Sequence, residues 1–341
     1  MRWGNQSEFR DAWLGFKNLP FFQKVLIGNQ KRPFGLDHLN SSRFNVFIER
    51  PYIIEAINED ARRLGIQSHN VSDDQGWNWR YGVFNQRNIQ DEGNYTNNHL
   101  QLQLASRLAR TYWYDEASGG RGYGHWAIAG SWAFPDGSTP GDNGGPGPDA
   151  NEGRFRTRPE ARTATRWLDT GRIAGADDYQ LLAFEKVFNY GAFQFVGEYQ
   201  TVFMDRDPGF GDNLTFHGGY VYLSYFLTGE HMSWNRKSGT LGRIIPHENF
   251  FCVRDGDGCT QRGIGAWQVA LRASYADFND DNIFGGIGRS LTFGVNWYWS
   301  PYARMQFNWV HGTIEDNGVT AAPALVSGDY DIVGFRFMVD F

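Results

Sequence analysis

The chain has 341 residues and a formal net charge of −6 at pH 7, so its composition gives no sign of a nucleic-acid partner. No run of residues approaches the ~18 consecutive apolar side chains of a membrane helix, which excludes a helical membrane protein. Aromatic residues make up 16% of the chain, with 13 Trp, 16 Tyr and 27 Phe; such a content is typical of the aromatic girdles of membrane β-barrels and also of a soluble carbohydrate-binding β-sandwich.

The first residues lack the features of a signal peptide. Met1-Arg2-Trp3-Gly4 leads into polar sequence with neither a charged region nor an apolar one. Either the protein is not exported or the chain begins partway into it. Partial alternation over 9–16, a connection at Pro20 and a second segment at 24–30 then predict a β-hairpin.

A long segment without sustained alternation follows, from 31 to 63. It is too long for an ordinary connection, so we expect it to be functional. It carries cations and carboxylates in similar number, namely Lys31, Arg32, His38, Arg43, Arg50, Arg62 and Arg63 with Asp37, Glu49, Glu55, Glu59 and Asp60.

Alternating apolar and polar side chains predict β-strands in the remainder of the chain. The clearest lie at 77–84, 100–108, 125–134, 193–200, 221–227, 267–275, 291–299, 303–309 and 330–341, and a further strand leads into a tight turn at Tyr190-Gly191. Each is roughly ten residues long, which is what a tilted strand needs to cross a bilayer. We therefore expect about thirteen strands in the visible chain and an all-β fold, and the strand length favours an antiparallel transmembrane barrel.

Two more irregular segments interrupt the strands, at 135–178 and 228–262. The first opens with Pro, Gly and Asp residues that cannot form a sheet ladder, so it must lie in solvent or in a wide lumen. Its later half is basic, with Arg154, Arg156, Arg158, Arg162, Arg166 and Arg172. Because alternation continues on both sides of it, we expect one domain over 1–341 rather than two domains joined by a linker.

The segment 228–262 contains the only cysteines, Cys252 and Cys259. No histidine stands at a spacing that would complete a zinc site, so the pair favours a small loop closed by a disulfide in an oxidising compartment. We predict no metal site and no other cofactor.

An arginine recurs at the polar positions of separate predicted strands. The residues are Arg80, Arg107, Arg272, Arg304 and Arg336. In a barrel they would form a row along the lumen and draw anions inward; the alternative for each is an ion pair with Glu198, Asp340 or a loop carboxylate. A soluble sandwich also has a polar outer face, so this pattern alone leaves that fold open.

Six motifs occur along the chain, at 28–36 (GNQKRPFGL), 41–44 (SSRF), 47–50 (FIER), 224–230 (SYFLTGE), 265–267 (GAW) and 294–298 (GVNWY). In this order they resemble the phosphate-selective porins, of the O and P type, of Gram-negative outer membranes. The resemblance implies a trimeric barrel of about sixteen strands, so that the first strands and a signal peptide would lie upstream of this sequence. It also implies contact with outer-membrane lipid and lipopolysaccharide.

The resemblance further implies that 31–63 folds into the lumen and lines its constriction, where small anions such as phosphate or polyphosphate would pass. The anion-binding residues would be Lys31, Arg32, His38, Arg43, Arg50 and Arg63. The family's lysine cluster is replaced here, since His38 and Arg43 stand at two of its positions. A general or weakly anion-preferring pore is therefore the alternative. An outer-membrane enzyme is a weaker one, because the histidines are scattered without a nucleophile motif.

Overall fold

The structure is a computed structural model that describes residues 10–59, 62–86, 101–137, 151–254, 260–318 and 326–340, with backbone alone for 252–254 and 260–261. The fold is almost entirely β. Its elements in chain order are β1 (Ala12–Leu19), β2 (Gln23–Lys31), α1 (Leu36–Leu39), α2 (Tyr52–Ile57), β3 (Arg62–Val71), β4 (Trp77–Asn85), β5 (Leu102–Tyr114), β6 (Gly122–Ala133), β7 (Arg156–Thr157), β8 (Leu168–Asp169), β9 (Ala176–Tyr190), β10 (Phe193–Arg206), β11 (Leu214–Phe226), β12 (Trp234–Asn235), β13 (Thr240–Leu241), β14 (Phe251–Arg254), β15 (Thr260–Gly263), β16 (Ala266–Asp280), β17 (Ile283–Ser300), β18 (Ala303–Asn317) and β19 (Val326–Val339).

A single thirteen-stranded sheet contains all the long strands, in the order β1-β2-β3-β4-β5-β6-β9-β10-β11-β16-β17-β18-β19. Every neighbouring pair in it is antiparallel. Three separate hairpins, β7–β8, β12–β13 and β14–β15, lie in the connections. The predicted all-β class and the predicted number of strands are confirmed, and one sheet of this kind is not the two packed sheets of a sandwich.

The two faces of the sheet differ as the alternation predicted. On β19, Val333, Phe335 and Phe337 are 59%, 63% and 67% exposed on the outer face, while Gly334 and Arg336 lie between them on the other face, half-buried. The same division holds along most of the other long strands, where outward leucines and aromatics alternate with buried Gln, Asn, Ser and Arg; β1, exposed on both faces, and β3 are the exceptions. The apolar face therefore points outward and the polar face inward.

The strands begin and end at other residues than the pattern indicated. The strands β16, β17 and β18 have 15, 18 and 15 residues, longer than the predicted ten. The alternation did not single out β3, because polar side chains stand on both of its faces between Gln67 and Asn70. Lys31 belongs to β2 and Arg63 to β3, so the connection between them starts at Arg32.

The connections are unequal at the two ends of the sheet. At one end they include the long segments 32–61, 86–101 and 134–175. At the other end they are short turns such as 20–22, 191–192 and 301–302, apart from one long connection at 227–265. Each end of the sheet therefore contributes a long segment that could enter the space inside it.

The segment 32–59 shows that the sheet is curved. It contacts Gln103 of β5, Glu198 of β10 and Arg336 of β19. Eight strand steps separate β5 from β19 in the sheet order, which would place them roughly 38 Å apart in a flat sheet at ~4.8 Å per strand. The sheet must therefore bend around the segment, with its polar face inside.

Both helices belong to this inner segment. Helix α2 starts directly after Pro51, a residue suited to a helix N-terminus because its fixed φ is helical. Tyr52, Ile53 and Ile54 of α2 are fully buried against the sheet, whereas Glu55 is half-buried. Within the described residues, no helix has the length and apolar character needed to cross a membrane.

Candidate functional site

Glu198 of β10 fixes the start of α1 to the inner wall. Its carboxylate oxygens accept hydrogen bonds from the backbone N–H groups of Leu36 and Asp37, each at 2.7 Å, and from the hydroxyl of Tyr220 at 2.5 Å. Gly35 has a φ of 78°, and a Cβ there would lie 2.6 Å from Nε2 of Gln200. The backbone conformation therefore requires glycine at this position, and a side chain there would also displace the amide of Gln200.

The stretch 46–49 is fixed to the opposite part of the wall. Asn308 accepts a hydrogen bond from the backbone N–H of Ile48 at 2.7 Å, and Arg336 donates to the carbonyl of Ile48 at 3.0 Å. Arg272 donates to the carbonyl of Glu49 at 2.9 Å. A Cβ on Gly294 would lie 3.2 Å from the ring of Phe47, so a strand glycine makes room for this segment.

Arg80 and Arg107, two of the five arginines predicted on the polar face, hold a second inner element, the β12–β13 hairpin. Arg80 donates to the carbonyl of Ser238 at 2.7 Å and Arg107 to that of Gly239 at 3.0 Å. Arg107 also forms a fully buried ion pair with Glu185 at 2.7 Å. These guanidinium groups are thus covered by the hairpin.

The other three arginines of the predicted row also lie on the inner face. Arg304 donates to the carbonyl of Ser42 at 3.2 Å, and Arg336 holds Ile48 as described above. Arg272 pairs with Glu160 at 2.7 Å. All three therefore bind backbone or side-chain oxygens of the inner segments.

Glu160 fixes a third inner segment, 151–175. Besides the ion pair with Arg272, its Oε2 accepts hydrogen bonds from Ser290 at 3.0 Å and Thr292 at 3.1 Å. Its backbone φ is 53°, outside the usual region for a residue with a Cβ. The described residues 151–175 of the predicted loop 135–178 thus lie inside the curved sheet, whereas 176–178 belong to β9 of the wall.

The residues predicted at the constriction do not form one cluster. Lys31 Nζ donates to the carbonyls of His38 and Asn40, each at 2.7 Å, and so caps the end of α1. Arg50 forms an ion pair with Asp37 at 3.0 Å. Both cations stabilise the turn around α1.

The side chains of His38 and Arg43 do not join those two cations in one site. His38 is fully buried, and its ring nitrogens contact no hydrogen-bond partner among the described residues. Burial, with Lys31 and Arg32 nearby, holds its pKa well below the ordinary value, so the imidazole is neutral. Arg43 is half-exposed, 3.8 Å from Asp340 near the end with short turns.

Arg32 and Arg63 are brought together, in a polar pocket of about 60 Å³. Three arginines of the inner segment 151–175 also line it, as do two carboxylates and Tyr179. The charged residues of the lining are Arg32, Arg63, Arg154, Arg156, Arg172, Glu59 and Glu152. Sequence reasoning placed only the first two of these at the site, although the spacing of two in Arg154, Arg156 and Arg158 was a signal that they share one face.

The guanidinium groups of Arg32 and Arg63 pair with no carboxylate of the described chain. Arg32 is 3% exposed and donates to the carbonyl of Ile57 at 2.9 Å and to Asn58 at 3.3 Å. Arg63 is 8% exposed and donates to the carbonyls of Glu59 and Arg62. The Nε of each arginine is buried without a hydrogen-bond partner among the described residues. The pocket lining holds five arginines and two glutamates, and this excess of buried positive charge suits an anion.

Beside the pocket, arginines of 156–166 pair with glutamates of 49–59, and we call this set the glutamate–arginine seam. Its ion pairs are Arg156–Glu59 at 2.9 Å, Arg166–Glu59 at 2.6 Å, Arg158–Glu55 at 2.8 Å and Arg162–Glu49 at 3.2 Å. The seam joins two of the inner segments to each other.

Cys259 and the side chain of Cys252 lie outside the described residues, so the predicted disulfide does too, as does Phe341. The described parts of the chain contain no group of three or more His, Cys, Asp or Glu side chains that could hold a metal ion.

Comparison with known proteins identifies a family and several similar proteins. A family model described as phosphate-selective porin O and P matches residues 2–341. An uncharacterized protein of Caulobacter vibrioides is 25% identical over 352 residues, covering 99% of this chain and 62% of that protein. The chain thus spans less than two thirds of the length of this relative.

Among solved structures, the chain is similar to OmpT of Vibrio cholerae. The outer-membrane expressed form shares 12% identity at a TM-score of 0.45, with 96% of this chain and 80% of that chain covered. The in-vitro folded trimer form also shares 12% identity, at a TM-score of 0.47 and with the same coverage.

Proposed function

Since the chain belongs to the family of phosphate-selective porins O and P, we propose that it forms the wall of a channel through which small hydrophilic solutes, chiefly anions, diffuse passively. Family membership also places it in the outer membrane of a Gram-negative bacterium and supports a channel rather than an enzyme. Phosphate and polyphosphate are the proposed solutes.

The buried pair Arg32 and Arg63 is the observation that carries the preference for anions. Their pocket measures about 60 Å³, which is enough for roughly four waters at ~15 Å³ each or for one small oxyanion. A guanidinium group offers paired N–H donors that match the oxygens of phosphate. An oxyanion would offset the excess of arginines over glutamates in the lining of this pocket.

The proposal also concerns the narrowing of the channel and its assembly. Segment 32–59 lies across the inside of the curved sheet, which supports the predicted constriction over 31–63. The structure describes thirteen strands in its large sheet, and a barrel of about sixteen strands is a prediction from the family. The homotrimer and the contacts with lipid and lipopolysaccharide are predictions from the family.

A planar-bilayer recording in a KCl gradient tests the proposed function. We expect a reversal potential of the sign that anion selectivity gives, and a chloride current that added phosphate reduces because it occupies the arginine pocket. A cation-selective reversal potential would contradict the proposal. An unselective current that phosphate leaves unchanged would favour a general porin. This second candidate is supported by the carboxylates of the seam.

The outer face gives a test of membrane insertion. Val221 is 49% exposed near the middle of β11, between Gly197 and Ala273 on the neighbouring strands. Arginine there would face lipid near the membrane midplane, and we expect Val221→Arg to destabilise the full-length protein by about 2–4 kcal/mol. Urea titration of the protein folded into lipid vesicles measures this.

The matched control for that substitution is Thr215→Arg. Thr215 is also exposed but lies at the end of β11, where a cation reaches the interface and costs about 0–1 kcal/mol. Equal destabilisation by both substitutions would show that this face does not meet the hydrocarbon layer.

A further inference from the structure

In the glutamate–arginine seam, the arginines that a passing anion would meet are already paired with glutamates of the protein. Arg156, Arg158 and Glu152 project from one side of an extended stretch, where their side chains are half-buried, whereas the alternate residues Phe155 and Thr157 are buried. The stretch therefore presents its arginines to the space inside the sheet. On its other side, Phe155 packs against Tyr179 and Phe216 of the wall, and the hydroxyl of Thr157 donates to Glu55 at 3.0 Å.

The two partners run in opposite directions along the seam. Glu55 lies in α2, and Glu59 lies two residues after the last residue of that helix, Ile57. Arg158 and Arg156 are two residues apart in extended chain, or about 6.6 Å at ~3.3 Å per residue. Glu55 pairs with Arg158, and Glu59 pairs with both Arg156 and Arg166.

The seam is accessible to water. The side chains of Glu55 and Arg158 are 22% and 20% exposed, and those of Glu59 and Arg156 are 21% and 28% exposed. Ion pairs with this exposure are weak individually. A solute that reaches them can displace the carboxylates, which a fully buried pair would prevent.

We propose that Glu49, Glu55 and Glu59 act as tethered anions that compete with the permeating solute for the seam arginines and so set the anion affinity of the channel. This inference rests on the proposed channel function. An oxyanion with two or more acceptor oxygens reproduces the geometry of the carboxylate and can replace it, whereas chloride offers a single acceptor centre. The carboxylates therefore set the phosphate concentration at which the arginines become occupied.

The test is a bilayer recording of the full-length protein and of its Glu49→Gln, Glu55→Gln, Glu59→Gln triple variant. Glutamine keeps the shape of each side chain and an acceptor oxygen, but it removes the charge. One partly exposed pair changes an equilibrium about twofold to fivefold. We expect the triple variant to need about tenfold less phosphate for half-maximal block of the chloride current, and to become more anion-selective.

Glu315→Gln is the control. Glu315 pairs with Arg289 at 2.6 Å on an exposed part of the wall, so its substitution removes one negative charge, as each single substitution of the triple variant does, but away from the seam. We expect no shift in half-blocking phosphate. A triple variant that behaves like this control would overturn the inference.

A second pair of variants separates competition from a merely structural role. Glu55→Gln and Arg158→Gln break the same ion pair, but one removes a negative charge and the other a positive charge. Competition requires that they shift anion selectivity in opposite directions. A shift in the same direction would overturn the inference, because it would come from loosening of the two segments. If the unmodified channel were itself cation-selective, the proposed function would be wrong, and not only this inference.

Discussion

Replacing both Arg32 and Arg63 by glutamine should remove most of the phosphate block and most of the anion selectivity. Hydrogen bonds to charged groups contribute about 1.5–3 kcal/mol each, which is roughly tenfold to hundredfold in affinity for each arginine. Since both guanidinium groups line one pocket and lack carboxylate partners, the double variant should raise half-blocking phosphate by at least about a hundredfold. Bilayer recordings over a phosphate series measure this.

Arg289→Gln is the matched control for the double variant. Arg289 is half-exposed and already paired with Glu315, so its loss should leave the phosphate block in place. If the double variant kept its block, phosphate would bind elsewhere, and the buried pair would be a structural feature only. Because glutamine removes buried charge, we expect the double variant to fold.

Glu198→Ala should release the inner segment from the wall and raise single-channel conductance several-fold. The substitution leaves the backbone N–H groups of Leu36 and Asp37 and the Tyr220 hydroxyl without their acceptor. An unsatisfied buried donor costs about 1–3 kcal/mol, so undocking relieves a substantial penalty. Single-channel conductance and protease cleavage within 32–59 report the release.

Two further variants test the same contact. Glu198→Gln retains one acceptor oxygen and should give an intermediate conductance. Gly35→Val disrupts the contact between α1 and Glu198 by changing the inner segment instead of the wall, since a Cβ at Gly35 approaches Gln200 within 2.6 Å and the φ there is 78°. Unchanged conductance in both Gly35→Val and Glu198→Ala would show that segment 32–59 does not limit the current.

The sheet was predictable from the sequence because each strand obeys a local rule. The alternation of Val333, Phe335 and Phe337 with Gly334 and Arg336 fixes which side chains point outward, whatever the neighbouring strand is. The rule fails at β3, where polar residues stand on both faces and are held by the β1–β2 turn and by neighbouring strands, as Ser68 is by the carbonyl of Phe22 and Gln67 by Gln30.

The candidate site was only partly predictable, because its contacts join residues far apart in the chain. Arg32 and Arg63 were recognised as cations of an inner segment. No local pattern indicated that Arg154 and Arg172 would reach the same pocket, or that Glu198 would accept the N–H groups of α1. Glu160, whose three donors come from β16 and β17, was not singled out for the same reason.

The wall contacts of segment 32–59 also imply an order of folding. In the sheet every long strand pairs with its neighbour along the chain, so hairpins can form in succession with small loop-closure costs. Ile48, by contrast, meets Asn308 and Arg336 across 260 and 288 residues. Such distant contacts form slowly. We therefore expect a segment near the start of the chain to dock last, so that a newly inserted barrel would conduct freely before it narrows.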